Sequence, residues 1–224
     1  GDDPPKGDYV MGADISAGTG GSWSSYSCLA VFNRATGEQV FQWRNNRVNP
    51  LVFAGLAKFV GKWFHDAYFV PEANGPLGAL FMEELAKKGY NRGKKTYQAK
   101  SDRPGYWNSD GGAELLTTLE SGLKYGDATV RSRLCLQEMS NYFYKNGKLI
   151  QSRAHAAEDE GARGRAHGDM AIATAAAWWG IKDLPKWKQE DPKQEVPEDC
   201  FLARQKAFRE KEVDTGRSYW TPWK

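Results

Sequence analysis

The chain has 224 residues, 40% of them hydrophobic and 26% charged, and a formal net charge of +3. That length can bury a sizeable core, and the balance excludes both a disordered polyelectrolyte and a strongly basic nucleic-acid wrapper. Any contact with a polyanion must therefore come from a local patch.

Three widely spaced cysteines, Cys28, Cys135 and Cys200, include no C-x-x-C pair, so neither a zinc ribbon nor a disulfide framework is expected. A reducing, cytoplasmic setting is the default. No apolar run reaches the length of a membrane span, and no signal peptide is visible. Residues 1–8 read as the remnant of a linker, and residues 9–181 as one domain. From residue 182 onward Pro and charge dominate, so 182–224 are expected to be a tail or adaptor.

Residues 9–15 (YVMGADI) predict a first strand, followed by a Gly/Ser-rich turn over 16–25. Residues 26–33 and 38–44 predict two more strands, and the short turns between the three argue for antiparallel pairing. Asn49 and Pro50 are in the N-cap and first-turn positions of a helix. Val52, Leu56, Phe59, Val60 and Trp63 follow at helical spacing as its apolar face. Residues 67–72 (AYFVPE) read as a short buried strand. A helix over 77–88 then ends at Gly89, and residues 94–100 predict a fifth strand. After a loop, a helix runs over 113–125 with Asp110 as its expected cap. Residues 132–143 read as helical, Asn146-Gly147 as a hairpin turn, and residues 169–181 (DMAIATAAAWWGI) as a compact Ala-rich helix. The fold class is therefore α/β: three antiparallel strands, then parallel crossovers, in a mixed sheet with helices on both faces.

Three acids occupy special places on these elements. Asp14 lies near the C-terminal end of the first strand, inside apolar sequence. Glu72 ends the fourth strand, and Asp169 opens the last helix. Strands one and four are expected to be parallel neighbours, so their C-terminal ends share the edge where α/β sheets place their sites. Converging carboxylates repel one another, and a divalent cation relieves that repulsion. Oxygen-only ligands favour Mg²⁺ or Mn²⁺ over zinc, and two such ions about 4 Å apart can drive phosphodiester hydrolysis. The bland readings are equally concrete. An Asp at a strand end is commonly a turn residue, and an acid in a first helical turn is favoured by the dipole alone.

The order Asp–Glu–Asp on these elements resembles the RNase H-like superfamily, and more closely the C-terminal nuclease domain of the large terminase subunit of tailed bacteriophages. Four stretches carry the resemblance in order: GADISAGTGGSWSSYS, FVPEANGPLG, GYWNSDGGAELLTTLESGL and HGDMAIATAAAWW. The resemblance implies a metal-dependent endonuclease that cuts concatemeric viral DNA during genome packaging, with Asp14, Glu72 and Asp169 as catalytic metal ligands for two divalent cations. It implies double-stranded DNA as substrate, work in the host cytoplasm, and partners in the form of an N-terminal ATPase domain, a small terminase subunit and a portal or procapsid. The chain departs from the family where many members have a further Asp in the loop after strand one; Ser24 and Ser25 stand near that place here. Gly168 likewise replaces an Asp often found before the third acid. No G-x-x-x-x-G-K-[ST] motif occurs, so no ATP hydrolysis is expected of this chain.

Other residues near the acids have two readings each. Ser16, Asn74 and His167 can support the acids, with Asn74 orienting Glu72 or only capping a helix. His167 is either a proton donor beside the metal or a loop residue. Lys100 and Arg103, at the end of a basic run over 87–103 that otherwise reads as a solvated face, are candidates for holding DNA phosphates, as are Arg163 and Arg165 in the loop before Asp169. Tyr106 and Trp107 either stack on a strand or pack. Gly18, Gly20 and Gly21 form either a phosphate-cradling turn or a flexible hairpin loop. Two competing functions share these features: a junction resolvase or transposase-type nuclease on the same fold, and a non-catalytic module that docks on DNA or a portal.

Overall fold

The structure is a computed structural model that describes residues 3–21, 24–90, 112–145, 148–151 and 168–184. Strands β1 (Tyr9–Asp14), β2 (Ser27–Asn33), β3 (Glu38–Asn45) and β4 (Tyr68–Pro71) form one sheet in the order β3-β2-β1-β4. β2 is antiparallel to β1 and β3, while β4 runs parallel to β1. The expected fifth strand over residues 94–100 lies outside the described residues. Helices α1 (Pro50–Trp63) and α2 (Gly75–Lys87) cover one face. Helices α3 (Ala113–Tyr125), α4 (Arg133–Ser140) and α5 (Asp169–Asp183) cover the other. A hairpin of β5 (Tyr142–Lys145) and β6 (Lys148–Gln151) follows α4.

The strand period of two sorts β1 between these layers. Met11 and Ala13 pack with α1 and α2, whereas Val10 packs with α5. Gly12 faces the same way as Val10. A methyl group there would lie 2.2 Å from the Ala173 carbonyl and 2.4 Å from the Ala177 nitrogen. The α5 backbone thus rests directly on β1. Five alanines in α5, Ala171, Ala173, Ala175, Ala176 and Ala177, are buried and make that approach feasible. Val10 lies beside Gly180 at the other end of the helix, so α5 runs antiparallel to β1 and brings its N-terminus to the C-terminal end of the strand. On its outer side the Trp178 indole donates to the Thr118 carbonyl and the Trp179 indole to Glu114, tying α5 to α3.

Several local expectations are corrected. The buried face of α1 is Phe53, Ala57 and Val60, with Phe64 just beyond its end; Val52 and Phe59 point outward. The small Gly61 lets the Tyr90 hydroxyl approach α1, where it donates to the Ala67 carbonyl, and so fixes which face turns inward. Asn49 caps α1 as expected, its side chain accepting from the Val52 amide at 2.9 Å. Gly112, in a left-handed conformation, stands at the N-cap position of α3, and Asp110 lies outside the described residues. The helix expected over 132–143 breaks at Asn141, and Tyr142 and Phe143 already belong to β5. Lys145 pairs with Lys148, as a two-residue hairpin turn requires.

Because Gly12 abuts main-chain atoms that cannot rotate aside, Gly12→Ala should lower unfolding free energy by about 3 kcal/mol, the upper end of ordinary overpacking costs. A urea titration followed by tryptophan fluorescence measures this directly, and a loss below about 1 kcal/mol would contradict the close seating of α5.

Candidate active site

Asp14 is the last residue of β1, and by strand alternation it faces the α5 side, like Val10 and Gly12. β4 runs alongside with Ala13 opposite Pro71, and the Glu72 amide extends the ladder by donating to the Ala13 carbonyl at 2.8 Å. Asp14 and Glu72 therefore end adjacent strands side by side, and their carboxyl groups hydrogen-bond to each other. Burial pushes the Asp14 carboxyl well above its ordinary range. The charges of Glu72 and Asp169 push it further, and only the Ile15 amide opposes them. Asn74 lies at the start of α2 but makes no side-chain cap there; its amide donates to Glu72 Oε1 at 2.5 Å. Its side chain is thus bonded to Glu72 rather than to the helix end.

Asp169 is the first residue of α5, and its Oδ2 accepts from the Tyr26 amide at 2.6 Å. Tyr26 directly precedes β2, whose Cys28 is paired with Asp14. Ser16 and Ser27 join the two strand ends: the Ser16 amide donates to Ser27 Oγ at 3.1 Å, and the two hydroxyls lie 3.1 Å apart. Ser16 therefore secures the chain beyond Asp14. The glycine turn that follows packs against residues 46–48. The Gly20 amide is taken by the Asn46 carbonyl, and a side chain at Gly18 would strike the Val48 carbonyl. This is the hairpin-loop reading of those glycines.

A fourth acid was missed in the sequence. Glu138 of α4 is buried, and its Oε2 accepts from the Met170 and Ala171 amides at 2.8 and 3.0 Å. Its Oε1 lies 3.8 Å from Arg44, whose guanidinium stands 4.6 Å over the Tyr26 ring. Burial raises its carboxyl to about 7; the charge of Asp169 adds to this, and the two amides and Arg44 hold it back. The available signal was its place three residues after Cys135, on the buried side of α4. Two bystanders register the convergence of all this charge. The Cys28 thiol is raised by burial and by Asp14, Asp169 and Glu138. The Tyr142 phenol is raised by burial and then by Glu138, Asp169, Asp14 and Glu72.

As the side chains lie, no three His, Cys, Asp or Glu groups among the described residues ring an ion. The reason is visible in their bonds: Asp14 and Glu72 hold each other, while Asp169 holds the Tyr26 amide. The donor chemistry nevertheless fits a hard divalent cation. Two adjacent carboxyl groups repel each other, a third adds its field, and the nearby Arg44 is engaged with Glu138. His167, Lys100, Arg103, Arg163, Arg165, Tyr106 and Trp107 lie outside the described residues. Lys87 and Lys88 pair with Glu83 and Glu84 one helical turn back, the solvated-face reading of the start of the basic run.

The sequence matches no protein family model and no curated protein. The fold does have relatives. It is similar to the large terminase nuclease from thermophilic phage G20c, at 22% identity over 79% of this chain and 83% of that chain, with a TM-score of 0.55. The same phage nuclease with bound magnesium gives a TM-score of 0.57. The large terminase nuclease domain of Thermus phage P74-26 is 20% identical over 84% of this chain and 87% of that one, with a TM-score of 0.54. The fold is that of the RNase H-like terminase nucleases, as the order of the elements and their acids led us to expect.

Acids with raised values bind protons more tightly in the folded state, so what Asp14 and Glu138 contribute to stability is present at low pH and is lost as pH rises from the ordinary carboxyl range through about 7, the value of Glu138. In chelator, the melting temperature should fall between pH 5 and pH 8. Asp14→Asn should melt about 5 °C above the parent at pH 8 and level with it at pH 5. Equal melting temperatures at both pH values would contradict the half-buried, repelling pair.

Proposed function

We propose that this domain is a divalent-metal-dependent endonuclease that cuts concatemeric double-stranded DNA during viral genome packaging. The observation that carries the reading is the half-buried Asp14–Glu72 pair at the end of two parallel strands, under the field of Asp169. The fold shared with terminase nucleases supports it, and one of those was solved with magnesium. In this reading Asp14, Glu72 and Asp169 hold two Mg²⁺ or Mn²⁺ ions, and the longer protein joins this domain to an ATPase and works in the host cytoplasm with a small terminase subunit and a portal.

The ions supply activation of water and stabilisation of the leaving 3′ oxygen when bound. The chain's own contribution is positioning. Asp14 and Glu72 sit side by side at the ends of two paired parallel strands. Asn74 fixes the rotation of the Glu72 carboxylate. The first turn of α5 presents Asp169 from a helix seated on the sheet, so the three carboxylates are held by backbone packing. Recognition of DNA by phosphate contacts falls to the basic residues Lys100, Arg103, Arg163 and Arg165, which gives weak sequence preference and strong salt dependence.

Purified protein with Mn²⁺ or Mg²⁺ should nick and linearise supercoiled plasmid. Asp14→Asn and Asp169→Asn should each reduce cleavage by more than about 100-fold, beyond the cost of losing a supporting partner, while circular dichroism stays unchanged. Cleavage that persists in the doubly substituted protein would refute the assignment.

A further inference from the structure

The N-terminus of α5 is capped from outside its own chain segment. The residue at its N-cap position is Gly168, which has no side chain to offer, so the amides of the second and third helical residues would be left without the usual partner. Glu138 of α4 fills that role, one oxygen accepting from both Met170 and Ala171. Its other oxygen faces Arg44 at 3.8 Å, Arg44 stands over the Tyr26 ring, and the Tyr26 amide donates to Asp169 Oδ2. Glu138, Arg44, Tyr26 and Asp169 thus close a ring of contacts with the first turn of α5.

We infer that Glu138 is a positioning residue for Asp169: by occupying the Met170 and Ala171 amides it keeps the Asp169 carboxylate from folding back onto its own helix and leaves it turned toward the Asp14–Glu72 pair. The inference rests on the nuclease reading above. The physical argument is one of competition. An acid in the first turn of a helix is drawn to the unsatisfied amides behind it. A buried carboxylate on α4 that already holds those amides removes that alternative. Both Glu138 oxygens are engaged as they lie, so Glu138 acts through α5 and is not itself a metal ligand. An apolar side chain would fill the same space without the desolvation that a buried charge incurs, so packing alone does not account for a glutamate here.

The test uses the full chain and Mn²⁺ itself as probe, with affinity measured by isothermal titration calorimetry and amide exchange followed by NMR. Glu138→Ala should weaken Mn²⁺ binding by about 10–100-fold, as losing a group that orients a ligand does. It should raise the Mn²⁺ concentration for half-maximal plasmid nicking in step, and speed exchange at the Met170 and Ala171 amides while Trp178 is unaffected. Glu138→Gln keeps an oxygen for the two amides and should recover most of the affinity, a rescue that a loss of general stability would not give. Arg44→Met, at a half-exposed site and therefore tolerant of substitution, should shift Mn²⁺ affinity in the same direction by a smaller factor, and it decides the matter if Glu138→Ala does not fold. Mn²⁺ affinity within twofold of the parent in the folded Glu138→Ala protein, or in Arg44→Met where only that variant folds, would overturn the inference and leave the nuclease reading intact. A parent protein that neither binds Mn²⁺ nor cuts would overturn the nuclease reading and this inference with it.

Discussion

The contact between the backbone of α5 and the face of β1 determines the rest of the arrangement. It exists because Gly12 has no side chain and because α5 presents alanines where most buried helices present leucine or isoleucine. A helix held off the sheet by ordinary side chains would stand at the usual distance of packed elements and lift its first turn from the strand ends. Seated as it is, and running antiparallel to β1, α5 delivers Asp169 to the edge where Asp14 and Glu72 already lie. The tryptophans that follow, Trp178 and Trp179, spread over α3 and prevent the helix from sliding along its own axis.

The same seating concentrates negative charge in a poorly solvated place. Asp14, Glu72, Asp169 and Glu138 all act on one another or on the same neighbours, and Arg44 is the cation that meets them among the described residues. A protein selected only for stability would replace at least one of these acids with an amide. The hydrogen bonds from Asn74, Tyr26 and the α5 amides do not neutralise the charge. They fix where each oxygen points.

Much of this could be read from the sequence, for identifiable reasons. The strand order followed from short turns and from the parallel return of AYFVPE, and the three acids stood out because each interrupts an apolar segment at the end of an element. Asn74 was noticed because it follows Glu72 so closely. Glu138 was not, because its significance depends on two amides 32 and 33 residues away in sequence, a relation that no local pattern encodes. The inward face of α1 was misjudged for a similar reason. Spacing alone allows two adjacent faces, and the choice is made by Tyr90 reaching Gly61 from beyond α2. The break of α4 at Asn141 shows the same limit, since Tyr142 and Phe143 leave the helix to pair with residues across a hairpin turn.

The bond between Asp169 and the Tyr26 amide spans 143 residues of sequence. Contacts that close so long a loop are entropically costly and form only after shorter-range structure has made them worthwhile. The β1–β2–β3 meander can assemble early, but the third acid reaches the other two only when nearly the whole domain has been synthesised and collapsed. An incompletely folded chain therefore has a sheet whose Asp14–Glu72 edge still lacks its third acid.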